Sequence, residues 1–293
     1  MATTYNNIKV GNLKIFYREA GNKDAPIILL LHGFPSSSHM FRDLIPELAS
    51  HYRVIAPDYP GFGYSDAPIV DQFTYTFDCL TGIVEKFIDA LGLMKFSLYM
   101  QDYGGPIGFR IATKHPERIE ALIVQNANAY VEGISAAFEP MKPFWLNRNT
   151  ETEVPARGLL KKETTIFQYT CGASDVSRIS PDAWNHDQAL LDRPGNDLIQ
   201  LALLHDYPTN VALYEDWHKY FRQHQPATLI VSGKNDPFFT SHGQNAFKKD
   251  IENAEIHLYD GGHFALEEYH LEIAIRIHVF LSQKEACSRK RPQ

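Results

Sequence analysis

Cysteine is scarce in this chain: three residues among 293, Cys79, Cys171 and Cys287. They are far apart and odd in number, so no disulfide framework and no Cys-x-x-Cys metal knuckle is available, and a reducing compartment is the simpler expectation. No apolar run approaches the length that spans a bilayer. The first residues are polar (Thr3, Thr4, Asn6, Asn7) and lack the apolar core of a secretory signal. A soluble, cytoplasmic protein is therefore expected. Positive charge is also short: 28 Lys and Arg against 35 Asp and Glu leave a net charge of −7. That balance argues against nucleic acid or an anionic membrane surface as partner. The one basic cluster, Lys284 to Arg291, follows the last apolar segment and reads as a disordered polar tail. Internal repeats, low-complexity segments, a phosphate loop, a dinucleotide fingerprint and metal-ligand spacings are all missing, so neither cofactor nor metal is expected.

What the chain does have is apolar residues, 44% of the total, enough for one large α/β unit with a sizeable core. Residues 8–20 read as a hairpin around Gly11-Asn12. Pro26 to Leu31 is a solid aliphatic run, as in a strand covered on both faces. Met40 to Ala49 has helical periodicity, Tyr52 to Ala56 reads as a strand, and Phe77 to Leu91 is a helix stopping at Gly92. Phe96 to Gln101 and Ala121 to Val124 are further strands. This alternation predicts a mostly parallel sheet flanked by helices. The pattern changes over residues 130–222, which are aromatic-rich, broken by prolines and helical where periodic. They read as a helical cap inserted into a core formed by residues 1–129 and 223–283, with 284–293 as the tail. Strands at Thr228–Ser232 and Glu255–Tyr259 and helices at Ser241–Asp250 and Glu267–Leu281 complete the core.

The chain is organised around Phe96 to Ala112. A short apolar strand runs through Asp102-Tyr103-Gly104-Gly105 into a helix, and such a turn holds the intervening side chain at the strand's carboxyl end. The geometry is that of a nucleophile elbow with Asp102 in the nucleophile position. Asp102 also has a plainer reading as a helix N-cap. Two more strands end in titratable residues: Thr228–Ser232 leads to Asp236, and Glu255–Tyr259 leads through Gly261-Gly262 to His263. The order nucleophile, acid, histidine makes one constellation of the three. Alone, Asp236 before Pro237 suits an ordinary turn. A fourth element, His32-Gly33-Phe34-Pro35, ends the Pro26–Leu31 strand, and the N–H groups of Phe34 and Tyr103 are candidates for an oxyanion hole. Ser65 fits a small-x-Ser-x-small spacing, but it lies in a loop rich in proline and glycine and not between a strand and a helix.

With these residues in view, the chain apart from its tail resembles an α/β-hydrolase with a helical cap. Gln101-Asp102-Tyr103-Gly104-Gly105 is most similar to the branch with an aspartate nucleophile, the haloalkane dehalogenases and epoxide hydrolases. His32-Gly33-Phe34-Pro35 and the loop Asp58 to Ser65 match two further motifs of those families. The resemblance implies that Asp102 attacks saturated carbon to give an alkyl-enzyme ester, that His263 activates water against it, and that Asp236 orients His263. Dehalogenases typically place a tryptophan after the nucleophile and draw a second halide donor from the cap or from an asparagine after His-Gly. Here those positions hold Tyr103 and Phe34, which leaves Trp145, Trp184 or Trp217 as substitutes. Epoxide hydrolases use an acid, usually a cap tyrosine, for which Tyr169, Tyr207 and Tyr214 are candidates. Gln101 looks more like the dehalogenase pattern, and Tyr103 fits neither. Epoxide hydrolysis is the expected activity; the alternatives are haloalkane dehalogenation, an esterase or lactonase-like reaction, and non-catalytic ligand binding. A pocket between cap and sheet, lined by Tyr169, Trp184, Tyr207 and Tyr214, is expected to take a small apolar substrate and water, in a monomer or homodimer.

Overall fold

A computed structural model describes residues 2–289 of the chain. Eight strands form one sheet in the order β1-β2-β4-β3-β5-β6-β7-β8. They are β1 Thr4–Val10, β2 Leu13–Ala20, β3 Ile27–Leu31, β4 Arg53–Pro57, β5 Phe96–Gln101, β6 Ile119–Gln125, β7 Thr228–Gly233 and β8 Glu255–Tyr259. The first two are an antiparallel hairpin and β2 pairs antiparallel with β4; every other pairing is parallel. The near-continuous apolar runs of β3, β5, β6 and β7 suit strands with both faces covered. Alternate residues feed two separate cores. Leu29, Leu31, Leu98, Met100, Leu122, Val124 and Ile230 pack on one side. Ile28, Leu30, Tyr99, Ile123, Leu229 and Val231 pack on the other.

The helices are α1 Leu44–Leu48, α2 Phe77–Ala90, α3 Gly104–Lys114, α4 Lys142–Leu146, α5 Glu153–Gly158, α6 Lys162–Thr170, α7 Pro181–Leu191, α8 Asn196–Asp206, α9 Pro208–Ala212, α10 Tyr214–His224, α11 Ser241–Ala246 and α12 Leu266–Arg289. Helices α2 and α3 cover the first face, α1 and α12 the second. The stretch between β6 and β7 holds helices α4–α10 and no strand of the sheet. Its last helix returns to the sheet layer: Trp217 and Phe221 of α10 sit 5.1 and 5.6 Å from Phe109 of α3.

Two expectations are corrected. Met40 to Ala49 is not one helix but a 3₁₀ turn, Ser38–Phe41, followed by α1. Pro46 has no N–H to bond the Arg42 carbonyl and its ring clashes with that group, so a helix cannot run back across it. At the other end α12 continues to Arg289, with a break at Tyr269 (φ −123°). Residues 284–289, expected to be disordered tail, are therefore helical, and Lys284 ion-pairs with Glu120. The rest of the expected tail, 290–293, lies outside the described residues.

Candidate active site

Asp102 follows β5 in the left-handed region (φ 48°), a conformation that costs a non-glycine residue about 1–3 kcal/mol and that the surrounding packing must hold. The reason for holding it is visible at the carboxylate. Oδ1 accepts the Phe34 N–H at 2.7 Å, and the Tyr103 N–H is a second donor to the same group. The side chain does not cap α3; the N-cap position is Tyr103, with no side-chain cap bond. Glycine is required where the chain passes closest. A Cβ at Gly33 would lie 2.2 Å from the Asp102 Cβ, and one at Gly104 would lie 2.1 Å from the Leu31 carbonyl oxygen.

His263 arrives from the loop after β8, with its ring 1% exposed. Its Nδ1 donates to Asp236 Oδ2 at 2.8 Å, which leaves Nε2 facing Asp102 Oδ2 at 3.8 Å. Gln101 Nε2 donates to the same His263 Nε2 at 3.1 Å. Asp236 follows β7, and its Oδ1 accepts the Phe238 N–H at 2.8 Å. The structure thus brings Asp102, Asp236 and His263 together, with Phe34 and Tyr103 presenting N–H groups to the first.

Burial pushes the Asp102 carboxyl up to about 6, against the lowering effect of His263 and of the Phe34 and Tyr103 N–H groups. Burial alone would lower the His263 imidazole. The charge and hydrogen bond of Asp236, with Asp102 behind it, outweigh that and hold it above the ordinary histidine value. His32 differs: burial pushes it down to about 3, and its ring stacks 4.1 Å from Tyr59. It is a neutral packing residue beneath the loop. Ser65 Oγ accepts the Phe16 N–H at 2.9 Å and donates to the Asp58 carbonyl at 2.7 Å, so it fastens a loop.

Asp102 and His263 open into a cavity of about 40 Å³ walled by Phe34, Tyr103, Phe138, Leu159, Gln168, Leu204, Tyr207, Phe238 and Phe239. Ordinary ligand pockets run to roughly 300–1,000 Å³, so this one suits a small substrate. Phe138 also lines an outer groove of about 580 Å³. The expected lining is corrected in three of four places. Tyr207 is on the wall, but Tyr169, Trp184 and Tyr214 are not. Tyr169 stacks 3.9 Å from Phe264 and donates to Asp187 at 2.5 Å, facing the opposite core. Trp184 packs beside it, 6.2 Å away. Tyr214 sits behind Tyr207, sharing a hydrogen bond with it and accepting Asn128 Nδ2 at 3.0 Å. The tryptophans are also turned elsewhere: none lines the cavity, and Trp145 Nε1 donates to the Leu204 carbonyl at 3.0 Å.

Sequence reasoning missed Asn126. It follows β6 in the left-handed region (φ 45°), donates from Nδ2 to Asp236 Oδ2 at 2.8 Å, accepts the Gly233 N–H at 3.1 Å and accepts the Asp102 N–H on its carbonyl at 3.2 Å. It ties the three loops together. Its only signal was an asparagine, tolerant of that conformation, at a strand end. Gln168 and Phe138 gave no sequence signal beyond lying in the cap.

Asp102, Asp236 and His263 thus lie in loops that follow strands of a mostly parallel sheet, the place where open α/β folds bind ligands, with helices inserted between β6 and β7. Sequence comparison agrees. A profile of the alpha/beta hydrolase fold matches residues 26–269, and the chain belongs to that family. An uncharacterized hydrolase of Saccharomyces cerevisiae is 41% identical over 270 residues, 90% of this chain and 92% of that protein. Epoxide hydrolase 4 of Mus musculus is 43% identical over 122 residues, 42% of this chain and 34% of that one. A haloalkane dehalogenase of Psychrobacter cryohalolentis is 40% identical over 115 residues, 39% and 38% of the two chains. Among solved structures, haloalkane dehalogenase DbeA from Bradyrhizobium elkani superposes with a TM-score of 0.79, covering 98% of this chain and 100% of that one at 21% identity. That last likeness is one of fold. Among the described residues no helix is long and apolar enough to cross a membrane, and no acid, cysteine and histidine cluster could hold a metal ion.

Proposed function

We infer that this enzyme hydrolyses a small epoxide through a covalent ester on Asp102. The observation that carries the reading is the division of labour at one carboxylate: Oδ1 accepts the Phe34 N–H while Oδ2 faces His263 Nε2 at 3.8 Å, and both residues line one cavity. The cavity wall carries two phenols, Tyr103 beside the nucleophile and Tyr207 from the helices inserted between β6 and β7, and no indole. Burial raises the Tyr207 hydroxyl well above the ordinary phenol value, so it is protonated at neutral pH, and it shares a hydrogen bond with Tyr214.

Asp102 Oδ2 attacks a ring carbon, the carbon–oxygen bond breaks, and the freed oxygen takes the Tyr207 proton. His263 Nε2 then removes a proton from water as the water oxygen adds to the ester carbon. Negative charge on Oδ1 develops between the Phe34 and Tyr103 N–H groups, which are already in place. Collapse breaks the bond between the Asp102 carboxyl carbon and Oδ2, and Oδ2 leaves with the product after taking the proton from His263, while the water oxygen stays on the carboxyl. The proton left on the Asp102 carboxyl returns to Tyr207, and a diol leaves. A second reading, haloalkane dehalogenation, is favoured by Gln101 preceding Asp102; it needs the same first bond but a halide leaving group.

The test is His263→Gln mixed with 1,2-epoxybutane or 1-bromobutane, followed by mass spectrometry. The expected result is Asp102 heavier by the whole epoxide, with diol release blocked. An adduct from the bromoalkane alone, with bromide freed, would move the assignment to dehalogenation, and no adduct from either would sink the ester mechanism.

A further inference from the structure

The cavity wall carries one carboxamide among its lining residues, Gln168 on α6. The residue is 3% exposed, and its Nε2 is buried without a hydrogen-bond partner. Buried polar groups are nearly always satisfied, so an amide left without an acceptor on a side chain that lines a reactive cavity points to a ligand. Neighbouring polar groups on α6 are already committed elsewhere: Thr165 Oγ1 donates to Gln188 at 2.6 Å and Tyr169 to Asp187 at 2.5 Å. Of these three α6 residues, Gln168 is the one on the cavity wall, together with Asp102, Tyr103, Tyr207 and His263. The remaining cap residues on the wall, Phe138, Leu159 and Leu204, bring no donor.

We propose that Gln168 is the cap-side donor that holds the substrate's departing oxygen, with its amide N–H on the epoxide oxygen while Tyr207 supplies the proton. This rests on the epoxide reading above and deepens it. The carboxylate attacks from the sheet side, so the breaking bond must point toward the cap for the displacement to be in line, and a donor there meets the charge as it grows. A side chain that acts in this way stabilises the transition state more than the bound substrate. The oxygen of a small terminal epoxide is an acceptor of the right kind, and the size of the cavity excludes bulky substituents on the attacked carbon.

The experiment measures the single-turnover rate of Asp102 ester formation from 1,2-epoxybutane in the His263→Gln background, with and without Gln168→Met. Methionine keeps the length and volume and removes the donor. The expected outcome is ester formation slowed about 10–100-fold with half-saturation changed less than about threefold, and partial recovery in Gln168→Asn, which returns the amide one methylene short. A purely structural Gln168 would instead lower the melting temperature and leave the rate within about twofold, and that result overturns the proposal. A parent that forms no ester with the epoxide fails the underlying reading first. A parent that forms ester at a rate indifferent to Gln168→Met fails this proposal alone.

Discussion

Asp102 and Asp187 are both carboxylates taken almost wholly out of water, and burial raises both, Asp102 to about 6 and Asp187 to about 7. Their surroundings differ in kind. Asp102 stands at a strand end with two backbone N–H groups, an imidazole 3.8 Å away and a cavity in front of it. Asp187, on α7 in the cap, accepts hydrogen bonds from the hydroxyls of Tyr169 and Ser36. Ser36 lies in the loop after β3, so Asp187 joins cap to core. Beside it, Arg42 and Glu267 form a bidentate pair at 3.0 and 2.6 Å within the core. A displaced carboxyl pKa is shared by both and distinguishes neither. What separates them is a base within reach and room for a substrate.

The comparison breaks most visibly on activity. Asp102→Asn should cost turnover roughly 10⁴-fold while leaving the fold intact, since the nucleophile alone is lost. Asp187→Asn should leave turnover within about twofold. Steady-state assays on the two purified variants decide it; comparable losses in both would mean that the cap carboxylate takes part in the chemistry.

The pH dependence sharpens the contrast next. Asp102 attacks only as carboxylate, so ester formation in a single turnover should rise with pH through about 6 and fall about tenfold per unit well below that. His263 must be neutral to accept a proton from water, and its raised value pushes the second step in the same direction, away from acid. A single-turnover profile with its midpoint near 4 would show Asp102 to be less desolvated than its burial implies.

The smallest expected effect is on stability. Asp187 has a folded value of about 7 against about 3.9 in an unfolded chain. A raised carboxyl favours the folded state while both states are protonated, so its contribution is whole below about pH 4 and is lost as pH rises to about 7. The full change is a few kcal/mol. Urea midpoints measured from pH 4 to pH 8 should fall more steeply in the parent than in Asp187→Asn, and parallel curves would refute the assignment.

Legibility in the sequence followed the physics of each segment. The strands β3, β5, β6 and β7 were readable because covered strands must be apolar throughout, a demand no loop shares. Asp102 and Asp236 were readable because each follows such a strand within a few residues, and His263 because it follows the half-buried edge strand β8 through a double-glycine turn, in an order that leaves little freedom. The cap was legible as helical but not in its facing. Tyr169, Tyr207 and Tyr214 look alike in sequence, yet one packs on Phe264, one lines the cavity and one stands behind it. Helical periodicity says which residues share a side of their own helix and nothing about what another helix presents to it. The break before α1 was missed although Pro46 stands inside the periodic stretch, and the run of α12 to Arg289 was obscured by its polar composition.

By itself, then, the amino-acid order determined a mostly parallel sheet, a helical stretch inserted into it, and the placing of Asp102, Asp236 and His263 after three of its strands. Local pattern suffices there because strand burial and turn chemistry are short-range demands. Only the tertiary structure decided which cap groups meet that set. Asn126 bonded to Asp236, Tyr207 and Gln168 on the cavity wall with Asp102, and Asp187 turned away beside Ser36 are juxtapositions of segments remote in sequence. Such contacts are set by how helices pack, and no spacing along the chain encodes them.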